Sequence, residues 1–282
     1  MRILSDINQE RDTMDVVTDL TGVLERIASL RIGQIRHQVL ASEQFFASLW
    51  QIYSQIRVGK LFHFGHGRGA KIINKELLIL ITSEGGLSGD IDQRLINQAL
   101  QYYRPAKNDI VVVGSRAATQ LTERRIPYIK SFKMPVKETD INVAPLVEQV
   151  QRYNSTMVFY QAYNSLTSLS VKQIQLSAAV AEMGQNVKPG EDLIIEGVYI
   201  FEPSTFAVVD HLERSMLQIA LSQVVLDSKL TQYASRFTAM HEAHDRAADT
   251  LSDLDSQLAR ARRQLKDERL KEVVNGLRKG GR

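Results

Sequence analysis

Residues 204–275 read STFAVVDHLERSMLQIALSQVVLDSKLTQYASRFTAMHEAHDRAADTLSDLDSQLARARRQLKDERLKEVVN, with neither glycine nor proline. Those two residues cost a helix most, so the stretch permits one unbroken helix. At 1.5 Å per residue it would be roughly 100 Å long, several times a usual globular helix. A domain of this size cannot bury such a helix, so it must protrude and needs a partner along its length. Leu230, Tyr233, Phe237, Met240, His244, Ala247, Leu251, Leu254, Leu258, Ala261 and Leu265 recur at alternating steps of three and four. That is an a/d seam of about five heptads. Between them Lys229, Arg236, Glu242, Asp245, Arg246, Asp249, Asp253 and Asp255 read as a wet outer face. Ser204 or Thr205, after Pro203, is the expected N-cap.

The other end of the chain offers a mate. Met14, Val17, Leu20, Leu24 and Ile27 are spaced as a seam, and the pattern resumes as Ile35, Val39, Ser42, Phe46, Leu49, Tyr53 and Ile56. This predicts a second long helix from about Ile7 to Val58. Gly22 and Gly33 inside it mark bends or close backbone contacts. Two terminal helices with seams imply an antiparallel coiled coil.

The middle of the chain has a different grammar. Leu77–Ile81, Ile110–Val113, Thr156–Tyr160 and Leu193–Ile200 are short apolar runs that read as strands, several buried on both faces. Asp92–Tyr103, Arg116–Arg124 and Pro145–Tyr153 read as helices. The later strands are expected to form a hairpin turning at Val187-Lys188-Pro189-Gly190. All six prolines fall in this region. The predicted fold class is α/β: a long antiparallel coiled coil of the N- and C-terminal helices plus a central Rossmann-like α/β domain. Its divisions are a coiled-coil helix over 1–58, the α/β domain over 59–203 and a coiled-coil helix over 204–282.

Composition narrows the function. The chain has 282 residues and no cysteine, which excludes disulfides, thiol catalysis and cysteine-based metal centres. No apolar run approaches a membrane span, and the first dozen residues carry Asp6, Glu10 and Asp12 without an apolar core, so no secretory signal is expected. Net charge is +3, yet Ala259–Arg282 holds nine Lys/Arg against three Asp/Glu. Such a tail can meet nucleic acid, anionic lipid or an acidic protein surface; with no aromatic residue in it for base stacking, a nucleic-acid partner is not expected.

Site chemistry is sparse. No phosphate-binding G-x-x-x-x-G-K-[ST] loop occurs. Gly65, Gly67 and Gly69 precede a strand, so no helix N-terminus waits for an anion there. Gly85-Gly86-Leu87-Ser88-Gly89 occupies the place of a dinucleotide turn but lacks its spacing. His241 and His244 share a helix face with Glu242 and Asp245, but a polar residue on a seam reads as a register device, and no metal is assigned to them or to His63 and His66. The chain reads as non-catalytic, with no cofactor.

Three stretches carry a resemblance. Ile81 to Gly89 is similar to a strand and S-D-R-G-L-C-G turn, with Glu84, Gly85 and Ser88 as departures. Tyr199-Ile200-Phe201-Glu202-Pro203 is similar to Y-x-Y-E-P before a final helix. Ser235-Arg236-Phe237-Thr238-Ala239-Met240, Ala243 and Asp245 continue to Arg260-Ala261-Arg262-Arg263 and Glu272-Val273-Val274-Asn275-Gly276 at fixed distances. Leu24-Glu25-Arg26-Ile27-Ala28-Ser29 matches more weakly near the N-terminus, and Arg31 and Arg269 depart from the pattern. Together these resemble the gamma subunit of rotary F-type ATP synthases, as a divergent member. The resemblance implies a central rotor shaft without its own active site, passing torque between a membrane ring of c subunits and a hexamer of three alpha and three beta subunits. It implies that Leu24, Glu25, Arg260, Arg262, Arg263 and Glu272 meet the hexamer. It implies that Glu84, Gly86, Leu87, Tyr199 and Glu202 meet the c-ring and the epsilon subunit. It implies a peripheral position on the cytoplasmic side of the cell membrane. The alternative is a coiled-coil adaptor whose Rossmann-like domain binds a protein or nucleotide.

Overall fold

Leu77 to Ile81 are five consecutive aliphatic residues, all without solvent exposure. A strand buried at every position must have helices on both faces. The computed structural model describes residues 4–55, 72–135, 141–166, 168–177, 180 and 200–280. Its elements are α1 (Leu4–Gln55), β1 (Ile73–Ile81), α2 (Ile91–Tyr102), β2 (Asn108–Val113), α3 (Ser115–Glu123), β3 (Lys130–Phe132), α4 (Ala144–Val150), β4 (Tyr153–Ser165), β5 (Ser168–Gln175) and α5 (Thr205–Gly280). By contacts the chain divides into two compact units, Ser29–Arg236 and a unit of Met1–Ala28 with Phe237–Arg282.

In the larger unit the sheet order is β3-β2-β1-β4-β5. The first four strands pair in parallel, and β5 returns antiparallel to β4. This is a doubly wound sheet, and alternate side chains go to opposite layers. Leu78, Leu80, Ile110, Val112 and Phe159 pack under Leu95, Ile96 and Ala99 of α2 and Ala117 and Leu121 of α3. Leu77, Ile79, Val111, Val158 and Tyr160 pack under Phe46 of α1, α4, and Met216 to Val225 of α5.

The runs expected as β1, β2 and β4, and the helices expected after β1 and β2 and before β4, are present. The helix before β4 ends at Val150, because Tyr153 already pairs in β4 beside Ile73. The strand at 193–200 and the turn at 187–190 fall outside the described residues, except Ile200. The hairpin that is described joins β4 to β5, with Ser165 paired to Ser168 across a two-residue connection. Both β3 and β5 were unforeseen.

The smaller unit is a pair of helices. Ile7, Leu254 and Leu258 are buried together with Leu4, Met14 and Ala261 against them. On α5 the expected seam holds, with Met240, Ala247, Leu254 and Leu258 buried and only Leu265 well exposed. On α1 it does not. In this unit the buried positions of α1 are Ile7, Thr21 and Ala28, fourteen and seven residues apart, while Val17, Leu20 and Ile27 face solvent. A Cβ at Gly22 would sit 3.4 Å from the His244 ring, so this glycine marks a close approach. Thr21 can be buried because its hydroxyl is satisfied by the Val17 carbonyl of its own helix, 2.8 Å away.

Two cations placed on the outer face of α5 also belong elsewhere. Lys229 is 3% exposed and its Nζ donates to the Pro135 carbonyl at 2.9 Å. Arg236 donates to the Gly86 carbonyl at 3.2 Å and lies over the Tyr233 ring. At this level α5 has the sheet domain against it, so the face opposite the seam is not solvent.

Candidate functional site

Where β1 leaves the sheet the backbone has to reverse within a few residues to start α2. Leu87 takes a left-handed φ of 66° and Gly89 one of 61° to do so. Leu87 is then 58% exposed at the tip, while Ser88 behind it is buried. Three anchors hold the turn. Ser83 Oγ and N donate to the Asp92 carboxylate at 2.5 and 3.1 Å, in the first turn of α2, where a negative charge meets the helix N-terminus favourably. Ser115 Oγ donates to the Glu84 carbonyl at 2.7 Å. From α5, Ser235 Oγ donates to the Ser88 carbonyl at 2.6 Å, beside the Arg236 bond to Gly86. Glu84 is exposed, and its carboxylate accepts from the Met134 N–H at 2.5 Å.

A pocket of about 240 Å³ lies beneath, at the carboxyl ends of the strands, lined by Ser83, Glu84, Gly85, Met134, Lys229, Gln232, Tyr233 and Arg236. Open α/β sheets commonly bind ligands at this edge. Here α5 occupies the crevice, and the lining offers two cations, Lys229 and Arg236, one carboxylate, Glu84, and the Ser83 hydroxyl, which is committed to Asp92. Among the described residues no group of three His, Asp or Glu side chains is spaced to hold a metal. No described helix is long and apolar enough to cross a membrane.

Glu202 is exposed just before α5, whose N-cap is Ser204, its hydroxyl accepting from Ala207 N–H at 3.2 Å. Sequence resemblance grouped Glu202 with Glu84, Gly86 and Leu87. The structure separates them: the turn docks on α5 near Lys229–Arg236, about 40 Å along the helix from its start. Tyr199 lies outside the described residues. Near Glu202, Val209 and Leu212 pack on Leu49, Tyr53 and Phe201. Glu213 is drawn into this cluster, with Tyr53 Oη 3.5 Å away. Burial, and then the neighbouring Asp210, raise its pKa from 4.5 to about 7. The folded chain therefore holds a proton that the unfolded chain releases between those values, and stability from this group falls as pH rises from about 4.5 to 7. Glu213→Gln removes the penalty. It is expected to raise stability of the full chain at pH 8 by about 1–2 kcal/mol after allowing for partial exposure, and by nothing at pH 4, as read from paired thermal melts.

In the smaller unit Leu24 and Glu25 are half-buried, and Glu25 Oε1 meets His241 Nδ1 at 3.2 Å. His241 is also 3.6 Å from Asp245, and His244 Nδ1 is 3.0 Å from the Thr18 carbonyl. The two histidines thus face different partners on the seam. Arg260, Arg262, Arg263 and Glu272 are all exposed, and every described side chain from Arg262 to Gly276 is exposed. Arg260 is 19 residues beyond His241, about 28 Å along the helix, so the Leu24–Glu25 pair and the arginine cluster are separate surfaces.

Comparison with known proteins agrees with this architecture. Residues 4–278 match the family model described as ATP synthase. The chain is 20% identical to the ATP synthase gamma chain of Geobacter metallireducens over 98% of both chains. It is 23% identical to that of Heliobacterium modesticaldum over 97% of both. Its fold is similar to a chain in the cryo-EM structure of the Euglena gracilis mitochondrial ATP synthase OSCP/F1/c-ring, with a TM-score of 0.63, 14% identity, and 97% and 94% of the two chains covered. A second Euglena structure, the rotor, gives a TM-score of 0.60 at 16% identity, covering 93% of this chain and 99% of that one. With the family model spanning nearly every residue, the chain belongs to the ATP synthase family.

Proposed function

We propose that this chain is the gamma subunit of a rotary ATP synthase: the central shaft that carries torque between a membrane c-ring and three alpha and three beta subunits. The observation that carries the reading is a helix pair closed by a heptad seam, whose longer member continues past Ala261 as an exposed basic helix, in a chain matched end to end by gamma chains. A shaft need not catalyse. ATP chemistry belongs to the beta subunits, and this chain acts by presenting a different face to each and so shifting its conformational equilibrium. Arg260, Arg262, Arg263 and Glu272, with Leu24 and Glu25 lower down, are the residues we assign to the hexamer. Guanidinium groups suit acidic loops because they bind carboxylates bidentately and stay charged. Glu84, Gly86 and Leu87, and separately Tyr199 and Glu202, are assigned to the c-ring and epsilon subunit; the exposed Leu87 tip and exposed Glu202 support this. On this reading the chain works peripherally at the cytoplasmic face of the cell membrane, held there through the complex.

Co-purification with alpha and beta subunits tests the assignment. A chain that stays monomeric in their presence and binds nucleotide itself would instead be an adaptor. Within the complex, Arg262→Glu with Arg263→Glu is expected to lower ATP turnover roughly fivefold, the effect of losing about 1 kcal/mol of contact. Unchanged turnover would remove both arginines from the hexamer surface.

A further inference from the structure

The face of α5 that meets the sheet domain near the turn is polar. Ser228, Thr231, Gln232, Ser235 and Arg236 fall at i, i+3, i+4, i+7 and i+8, one stripe of a helix. Each is bonded, and most lead to one chain of contacts. Gln232 Nε2 donates to Ser228 Oγ at 3.2 Å, and Ser228 Oγ to Gln161 Oε1 at 3.5 Å. Gln161, with no solvent exposure, donates from Nε2 to Asp92 at 2.5 Å. The Thr231 hydroxyl is shared between the Gln161 carbonyl at 3.2 Å and its own helix's Asp227 carbonyl at 2.9 Å. Asp92 then takes both Ser83 bonds, and Ser235 and Arg236 hold the turn from its other end.

Below this stripe α5 contributes Met216, Ala220 and Val224 to the apolar layer under the sheet. They repeat at steps of four, so a slip of one helical turn would exchange one apolar residue for another. The polar stripe has no such tolerance. The same slip would put Val224 where Ser228 faces Gln161, and would strand buried amide and carboxylate groups without partners.

We propose that Asp92, Gln161, Ser228, Thr231, Ser235 and Arg236 form a register lock, which fixes α5 to the strand-end turn so that force applied to the turn moves the shaft without slippage. The proposal rests on the rotor reading and adds to it the residues that keep sheet domain and shaft in step. Apolar packing resists separation of the two, while directional bonds resist sliding.

The test uses the assembled complex in sealed vesicles, measuring ATP hydrolysis and ATP-driven ion pumping together. Gln161→Met keeps volume and removes the ladder's centre. Ser235→Ala with Arg236→Met acts at half-buried positions where folding is not at stake. Both are expected to keep hydrolysis within about twofold of the unsubstituted complex and to lower pumping per ATP by about threefold or more, since uniform destabilisation would change both together. Ser235→Thr with Arg236 intact retains both bonds and is expected to restore the ratio. An unchanged pumping ratio in the double variant, or a parallel loss of both activities, overturns the lock. Failure of the unsubstituted chain to assemble would overturn the rotor reading instead, so the two failures are distinct.

Discussion

Gly114→Ala is expected to cost about 3–5 kcal/mol, a large part of a domain's stability, or to abolish soluble expression. Gly114 ends β2 and caps α3 with φ 98° and ψ 144°, a region closed to L side chains. A Cβ there would overlap the Thr82 carbonyl oxygen, 2.7 Å from its carbon and 3.0 Å from the Thr82 hydroxyl. Neither side can yield. Thr82 N–H donates to the Val113 carbonyl at 2.8 Å and Gly114 N–H to the Phe132 carbonyl at 2.8 Å, so retreat breaks the sheet on one flank or the other. Thr82 Oγ1 also accepts from Ala117 N–H at 3.1 Å in the first turn of α3. Gly33→Ala is the matched control. Nothing lies within 4 Å of its Cβ position in mid-helix, and that substitution is expected to stabilise by up to about 1 kcal/mol. Urea unfolding of the two variants measures both signs.

Phe46→Ala is expected to cost about 3–5 kcal/mol and Phe45→Ala less than about 0.5 kcal/mol, though the residues are adjacent and alike. Phe46 is 2% exposed and enters the main core with Leu77, Ile79 and Met216; its ring centroid is 6.0 Å from that of Trp50, which is 5.5 Å from Tyr53. Phe45 is 59% exposed. One step along a helix turns a side chain by about 100°, which separates core from water here. Equal losses in denaturant midpoint for the two variants would contradict this placement of α1.

The helices and the central strands were legible because their signals are local. Long freedom from glycine and proline defines α5, and uninterrupted aliphatic runs define β1 and β2. β3 was hidden because Lys130-Ser131-Phe132 is three residues at a sheet edge, with charge where an edge strand needs it. β5, Ser168 to Gln175, is half exposed and rich in polar residues, so only its pairing with β4 identifies it. The seam of α1 holds at Ile35 and Phe46 but fails between Val17 and Ile27, where size is a poor guide to burial. Val17, Leu20 and Ile27 are the larger residues, yet Thr21 and Ala28 are the buried ones. The turn at Gly85–Gly89 was located correctly, but its anchors were not. The stripe Ser228, Thr231, Gln232, Ser235, Arg236 was available in the sequence as a polar period on a helix already predicted, and Lys229 and Arg236 were instead assigned to water.

The exposed end of α5 has a consequence for how long the helix is. Beyond Ala261 no described side chain is buried, so nothing within the chain rewards helix over coil there except propensity. Yet this stretch extends a helix that already exists, so the nucleation penalty that defeats short free helices does not arise. Each added residue is a propagation step with a free energy near zero, and Arg, Lys, Gln, Leu and Glu dominate the segment. Helix and coil are then nearly balanced at every position past Arg262. The upper limit of the rod is a boundary that its surroundings can advance or draw back at little cost.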